Sequence, residues 1–155
     1  MAMTFSTVTT LLSRPEWLAV LRIGLGLWWL ESFRHKDKRA WLQRGAGISW
    51  AGSVAEKHRL KVVGKAFSAV VEPRKTFFAY LIVFSELAIG AGLVAGLLAP
   101  IAATAGLALN LVYFVLMISD WAEQGQNLMM ALASAVVLGS HAWSTWSVGH
   151  AAGLF

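Results

Sequence analysis

The chain has 155 residues, of which 57% are hydrophobic and 14% are charged, with a formal net charge of +5. A soluble domain of this length has about a quarter charged residues, so this composition argues against one. The chain contains no cysteine, which excludes disulfides, thiol chemistry and iron–sulfur clusters held by its own thiolates.

Four apolar stretches are each long enough for an α-helix to cross a hydrocarbon layer of about 30 Å. They cover residues 15–33, 76–98, 100–119 and 127–146. We therefore predict an all-α membrane protein, a four-transmembrane-helix bundle that forms a single membrane domain over residues 1–155. The N-terminal residues lack the pattern of a cleaved signal, so the first span is expected to direct insertion itself.

The first span carries a charge in its interior, at Arg22. A charge at mid-bilayer costs at least ~2.5–3.5 kcal/mol on insertion scales, so Arg22 is expected to face the bundle interior. Arg22 and Trp29 lie seven residues apart and share one helix face. Glu31 falls on the opposite face and is expected to pair with Arg34 or His35 at the interface.

A basic connection at residues 34–75 follows the first span, and it holds all the Lys and Arg residues except Arg14 and Arg22. Basic loops stay on the cytoplasmic side, so we expect this connection to be cytoplasmic and both termini to lie outside the plasma membrane. Its second half has an apolar face and a basic face that includes His58, the pattern of an amphipathic interfacial helix on an anionic leaflet. Anionic lipid headgroups are the expected partner, a protein is the alternative, and no nucleic acid is expected.

The second span contains the segment FSELAIGAGLVAG, which places Glu86 in an otherwise apolar run. At 1.5 Å per residue, Arg22 and Glu86 lie roughly 9 Å and 18 Å below the outer surface, a gap that a guanidinium side chain can bridge in large part. We therefore predict an Arg22–Glu86 ion pair, because each charge lowers the desolvation cost of the other. The pair either fixes helix register or forms the polar floor of a cavity that binds a ligand or relays a proton.

The third and fourth spans add uncharged polar groups. Asn110 lies within the third span, and Asn127, Ser134 and His141 recur every seven residues along the fourth. This spacing predicts a polar stripe facing the bundle centre, with Asn127 also capping the fourth helix. His141 is either a proton carrier or quinone ligand, or a histidine hydrogen-bonded within the core. The histidines form no cluster in the sequence, so we expect no metal site and no heme.

The sequence resembles the DoxX/DoxD family of membrane proteins in several stretches. The segment WLAVLRIGLGLWWLESFRH is similar to the first helix of that family, and FFAYLIVFSELAIGAGLVAGLLAPIAATAGLALNLVY is similar to its second and third helices. WAEQGQNLMMALASAVVL is similar to the start of its fourth helix, so the resemblance extends from about Glu16 to Trp146. The connection at residues 34–75 is the part that is least similar.

The resemblance implies an integral membrane subunit of a quinone-linked oxidoreductase, as in thiosulfate:quinone oxidoreductase, paired with a second redox subunit. It implies menaquinone or ubiquinone as the cofactor and makes Arg22 and Glu86 the catalytic positions. A quinone needs an apolar slot with hydrogen-bonding groups at its head. The residues expected to form that slot are Trp29, Asn110, Trp121, Gln126, Asn127, Ser134 and His141.

A non-catalytic accessory or assembly subunit of a larger respiratory membrane complex is the alternative function. The short chain, the interfacial tryptophans and the basic connection suit such a role, and it requires no reaction. A small transporter or lipid-binding protein is a third possibility, which the lack of an internal repeat and of paired broken helices disfavours.

Overall fold

The computed structural model describes residues 12–155, and the regular structure in that part of the chain is entirely helical. The predicted all-α class is therefore confirmed for these residues. The inference about a cleaved signal falls mostly on residues 1–11, which lie outside the described part. The helices in chain order are α1 Arg14–His35, α2 Lys38–Arg44, α3 Ala46–Glu56, α4 Lys61–Val70, a 3₁₀ turn Glu72–Arg74, α5 Lys75–Ala95, α6 Ala99–Leu116, α7 Trp121–Gly139 and α8 Val148–Ala151.

Four long helices, α1, α5, α6 and α7, pack around a common centre. Helix α1 packs on α5, α5 on α6, α6 on α7, and α7 returns to α1. Their inward side chains, together with Ala142 after α7, form one apolar core, which consists of Leu25, Trp29, Ile89, Leu93, Ala102, Ala103, Met130, Val137 and Ala142. The connections from α5 to α6 and from α6 to α7 are short, which favours packing of these sequential helices side by side.

Helices α1 and α5 approach each other closely at two glycines. A Cβ atom added at Gly26 would lie 2.8 Å from the Val94 backbone nitrogen and 2.9 Å from the Gly90 carbonyl oxygen. A Cβ atom added at Gly90 would lie 2.8 Å from the Leu30 side chain. Because glycine has no Cβ, these positions let the two backbones come nearer than any other residue allows.

The end of α1 carries the surface pairing that the sequence predicted. Glu31 Oε1 lies 2.6 Å from Arg34 Nη2 and 2.8 Å from His35 Nδ1. Helix α1 ends there because Lys36 adopts an extended conformation, with φ −66° and ψ 132°.

Helix α7 differs from the predicted fourth span at both ends. Asp120 caps it, since its carboxylate accepts hydrogen bonds from the backbone N–H groups of Ala122 and Glu123 at 3.1 Å and 3.2 Å. The prediction that Asn127 is the cap is wrong, because Asn127 lies almost two turns inside the helix. The helix ends at Gly139, so residues 140–146 of the predicted span are not part of it.

The connection between α1 and α5 folds against the bundle instead of lying apart from it. Ala51 and Ala55 of α3 form a second small core with Leu116 and Met117, and Val63 and Phe67 of α4 pack on it. The apolar face of α4 therefore packs on the bundle only in part. Leu60 and Val70 at its two ends remain exposed.

Two helical stretches of the described chain, Lys61–Ala95 and Ala99–Leu116, are long and apolar enough to cross a membrane. The first joins α4, the 3₁₀ turn and α5. Helices α1 and α7 carry more polar side chains, among them Arg22, Glu31 and Gln126, and are not among these stretches.

Candidate functional site

A cavity of about 1190 Å³ lies between the four long helices and the folded connection. Its walls are mainly apolar and aromatic, with Trp28, Trp29, Trp41, Trp50 and Phe67 among them. Helices α3 and α4 supply one side, so the connection is part of the site.

Several polar side chains line this cavity. They come from the end of α1, from each of the other long helices, and from residue 36, which follows α1: Ser32, Lys36, Ser85, Glu86, Asn110, Tyr113, Glu123, Gln126 and Asn127. A mainly apolar cavity with a few converging polar groups is the usual form of a small-molecule site.

Glu86 pairs with Lys36. Lys36 Nζ donates to both carboxylate oxygens of Glu86, at 2.8 Å and 2.6 Å, and to Ser32 Oγ at 3.0 Å. The Glu86 side chain is 2% exposed and the Lys36 side chain 13% exposed. The Lys36 ammonium also lies 4.9 Å from the ring centroid of Trp41, within the range of a cation–π contact.

The predicted Arg22–Glu86 ion pair is wrong. Arg22 lies beside Gly96, the residue that follows α5, and a Cβ atom at Gly96 would collide with the Nη1 atom of Arg22. Gly96 follows Glu86 by ten residues, which is about 15 Å of helix. The two charges do not meet because the Arg22 side chain extends towards the end of the bundle at Gly96. The side chain of Lys36, from beyond the other end of α1, extends into the bundle and reaches Glu86 instead.

Arg22 instead binds the segment that follows α7. Its Nη2 atom donates to the carbonyl oxygen of Trp146 at 2.6 Å and to that of Thr145 at 3.4 Å. The buried cation also lies at the C-terminal end of α5, where the helix dipole is negative. Arg22 does not line the cavity. Its contacts hold the segment after α7 against the bundle.

Two buried side chains on the cavity wall have polar atoms without a hydrogen-bond partner in the described structure. They are the Trp29 indole Nε1, from α1, and both side-chain atoms of the Asn110 amide, from α6. Asn110 is 0% exposed and Trp29 is 2% exposed. An unsatisfied buried polar group costs about 1–3 kcal/mol, so a ligand that hydrogen-bonds to these groups would remove that cost.

Asn127 and Gln126 line the cavity from the start of α7, as does Glu123. Asn127 Nδ2 donates to the Glu123 carbonyl oxygen at 2.7 Å, which fixes the orientation of the amide. The structure therefore brings five of the predicted site residues to one cavity: Trp29, Glu86, Asn110, Gln126 and Asn127.

The other predicted site residues lie outside the cavity. Trp121 is 88% exposed at the start of α7. Ser134 is buried, as the stripe predicted, but its hydroxyl donates to the Met130 carbonyl oxygen at 2.9 Å. His141 is exposed and lies beyond the end of α7, with a left-handed φ of 53°.

The polar lining residues that the sequence did not predict are Ser32, Lys36, Ser85, Tyr113 and Glu123. Lys36 follows Ser32 by four residues, so the two share a helix face at the end of α1. That spacing is a usable signal, although in the sequence the lysine is one of many basic residues of the connection.

His58 fastens the connection to α6 beside the cavity. Its ring is 1% exposed, and Nε2 lies 2.9 Å from the Val115 carbonyl oxygen. The Leu60 backbone N–H donates to Nδ1 at 3.0 Å, so Nε2 carries the hydrogen that Val115 accepts. The amphipathic pattern placed His58 with the exposed lysines, and this placement is wrong.

Within residues 12–155, no group of three or more His, Asp or Glu side chains is arranged to hold a metal ion. Comparison of the chain with protein-family models, with curated protein sequences and with solved structures finds no match.

Proposed function

We propose that the protein is an integral membrane subunit of a quinone-linked oxidoreductase, and that the cavity binds the quinone headgroup. In this proposal α1, α5, α6 and α7 cross the bilayer as a four-helix membrane bundle. The connection lies on the cytoplasmic side against anionic lipid headgroups, and membership of the DoxX/DoxD family is part of the same proposal.

The observation that carries the proposal is the pair of unpartnered groups on the cavity wall, Trp29 Nε1 and the Asn110 amide. A quinone has two carbonyl oxygens that accept hydrogen bonds, and the reduced form has two hydroxyl groups that donate them. The indole can only donate, whereas the amide both donates and accepts. Together these groups fit a neutral headgroup in either redox form.

The charged groups on the cavity wall favour a neutral ligand as well. The three N–H groups of Lys36 donate to Glu86 and Ser32, so none is left to bind an anionic headgroup. Glu123 adds a second carboxylate to the lining, which also disfavours anions. In this proposal the pair of Glu86 and Lys36 holds a proton beside the headgroup, and Lys36 is the more exposed of the two.

A bound quinone supplies two-electron redox chemistry, which the side chains of a cysteine-free chain do not provide. The electrons then come from a second subunit that carries a redox centre, or directly from a reduced substrate. The protein's own contribution is to bind and orient the headgroup, to exclude water with its aromatic walls, and to hold a proton near it.

The test is quinone binding by the purified protein in a mild detergent, measured by calorimetric titration with a decyl-tailed ubiquinone analogue and a menaquinone analogue. We expect Asn110→Leu and Trp29→Phe each to weaken binding by about tenfold, since a buried hydrogen bond contributes about 1.4 kcal/mol. Ser134→Ala is the matched control, since Ser134 is equally buried but lies off the cavity, and its affinity should equal that of the unmodified protein. Equal affinity in all variants contradicts the proposal.

A non-catalytic accessory subunit is the second candidate. It is favoured by the exposed apolar side chains on the outer faces of α5 and α6, such as Phe77, Phe84 and Ile101, which suit contact with another membrane subunit as well as with lipid. A pull-down from native membranes in mild detergent separates the two. Partners recovered without bound quinone, and unaffected by Asn110→Leu, favour the accessory role.

A further inference from the structure

The cavity opens on an apolar flank of the protein. Seven large apolar residues of its lining are about half exposed, and we call the five that lie on α4, α5 and α6 the apolar rim: Val70 of α4, Leu81 of α5, and Leu111, Val112 and Val115 of α6. The rim residues are all aliphatic, whereas Gln126, which also lines the cavity and is exposed, lies on α7 and is not part of the rim. An opening of this kind is in contact with hydrocarbon when the protein lies in a membrane, and not with water.

Three polar side chains of the cavity are buried, unlike the rim. Trp29 and Asn110 are almost fully buried, as is Glu86, whereas the rim residues are about half exposed. A ligand that satisfies the buried groups therefore has its polar part inside and any remaining part directed towards the rim.

The volume of the cavity exceeds what a headgroup requires. Sites for drug-sized ligands have volumes of about 300–1000 Å³, and this cavity has about 1190 Å³. The lining on α4, α5 and α6 is mainly apolar, so volume beyond that of a headgroup suits a hydrocarbon chain and not a second polar group.

The charges on α4 indicate how deep the rim lies in the membrane. It contributes Val70 to the rim, while Lys61 and Lys65 on the same helix are exposed. Lysines attract anionic lipid headgroups, at about 1 kcal/mol for each residue near the surface. This charge places the rim in the hydrocarbon just beneath the headgroups of one leaflet.

We propose that the apolar rim is a lateral opening to the bilayer, and that the ligand is a molecule whose hydrocarbon tail leaves the cavity through it. This inference rests on the proposed function for the identity of the headgroup. It adds that access is from the leaflet beside α4 and that the rim residues select for a tail.

The first test compares a tail-less dimethoxy-methyl-benzoquinone with its decyl-tailed analogue by calorimetric titration. Val112→Trp narrows the rim and should weaken binding of the tailed quinone at least tenfold while changing that of the tail-less quinone less than twofold. Ile101→Trp is the matched control, because Ile101 is 64% exposed and Val112 59% exposed on the same helix, and Ile101 does not line the cavity. Equal effects of Val112→Trp on both quinones overturn the lateral opening.

The second test does not need a quinone. The chain has no cysteine, so Ala108→Cys, at a cavity-lining position of α6, introduces a single thiol for a nitroxide label. In lipid vesicles containing anionic phospholipid, the label should collide more often with oxygen, which concentrates in hydrocarbon, than with a water-soluble nickel chelate. Gln124→Cys, near the end of the bundle and off the cavity, should show the opposite preference.

The two tests separate the two proposals. Greater access of oxygen at position 108, together with no binding of either quinone by the unmodified protein, supports the lateral opening and contradicts quinone as the ligand. Greater access of nickel at position 108 overturns the lateral opening, whatever the quinone titrations show.

Discussion

Lys36 Nζ lies 2.6 Å and 2.8 Å from the two carboxylate oxygens of Glu86, although the residues are 50 positions apart in the chain. The contact joins the end of α1 to the middle of α5. It forms part of the cavity wall, and it supplies the counter-charge that a buried carboxylate requires.

Removal of one partner of this pair should destabilise the protein strongly. Glu86→Ala leaves Lys36 without its counter-charge, and we expect a loss of about 3 kcal/mol, because an uncompensated buried charge costs about 3–5 kcal/mol and Lys36 is slightly exposed. The double variant Lys36→Met, Glu86→Leu should recover most of this loss. The measurement is the free energy of unfolding by SDS titration in mixed micelles.

Arg22 provides the control for this pairing. A double-mutant cycle between Lys36 and Glu86 should give a coupling energy of about 1–3 kcal/mol, whereas a cycle between Arg22 and Glu86 should be additive within about 0.5 kcal/mol. A large coupling between Arg22 and Glu86 contradicts the structure.

Asn110→Leu should leave the free energy of unfolding unchanged or raise it. The Asn110 amide is buried without a hydrogen-bond partner in the described structure, so its apolar replacement removes a cost of about 1–3 kcal/mol. Asn127→Leu is the control, since Asn127 donates to the Glu123 carbonyl oxygen and should lose about 1 kcal/mol. Thermal unfolding of both variants in the same detergent compares them. A marked destabilisation by Asn110→Leu alone contradicts the assignment of Asn110 to ligand binding.

Gly26→Ala should destabilise the contact between α1 and α5. The added methyl group meets the backbone of α5 at 2.8 Å, and relief of such a collision costs about 1–3 kcal/mol. Gly24, two residues earlier on the same helix, has no atom within 4 Å of its Cβ position, so Gly24→Ala should stabilise α1 by about 0.5–1 kcal/mol. Equal effects of the two substitutions on the unfolding midpoint contradict the close approach.

His58→Ala should loosen the connection while the four long helices stay packed. The substitution removes the hydrogen bond to the Val115 carbonyl oxygen and leaves a void at a buried site. We expect faster tryptic cleavage after Lys57, Arg59 or Lys61, with the unfolding midpoint of the bundle little changed. His150→Ala, at an exposed histidine of α8, is the control and should leave the cleavage rate unaltered.

Much of the helical layout was predictable from the sequence, because apolar stretches of about 20 residues separated by polar segments have few other solutions. The burial of Asn127, Ala131 and Ser134 was predictable too, since their spacing places them on one face of α7. The end of α7 was not, because the apolar character of residues 140–146 continues past the point where the backbone turns at His141.

The sequence by itself determined that the chain is helical and apolar, that it carries no thiol chemistry, and that Arg22, Glu86 and Asn110 are buried. These follow from composition and from the spacing of residues along the chain, neither of which requires knowledge of contacts between distant residues. Only the tertiary structure decided which charged groups are in contact. In it, Glu86 pairs with Lys36, and Arg22 donates to the carbonyl groups of Thr145 and Trp146. The physical reason is that a long cationic side chain can extend several ångströms either way along a helix, and its direction depends on the space and partners that the packed neighbours offer.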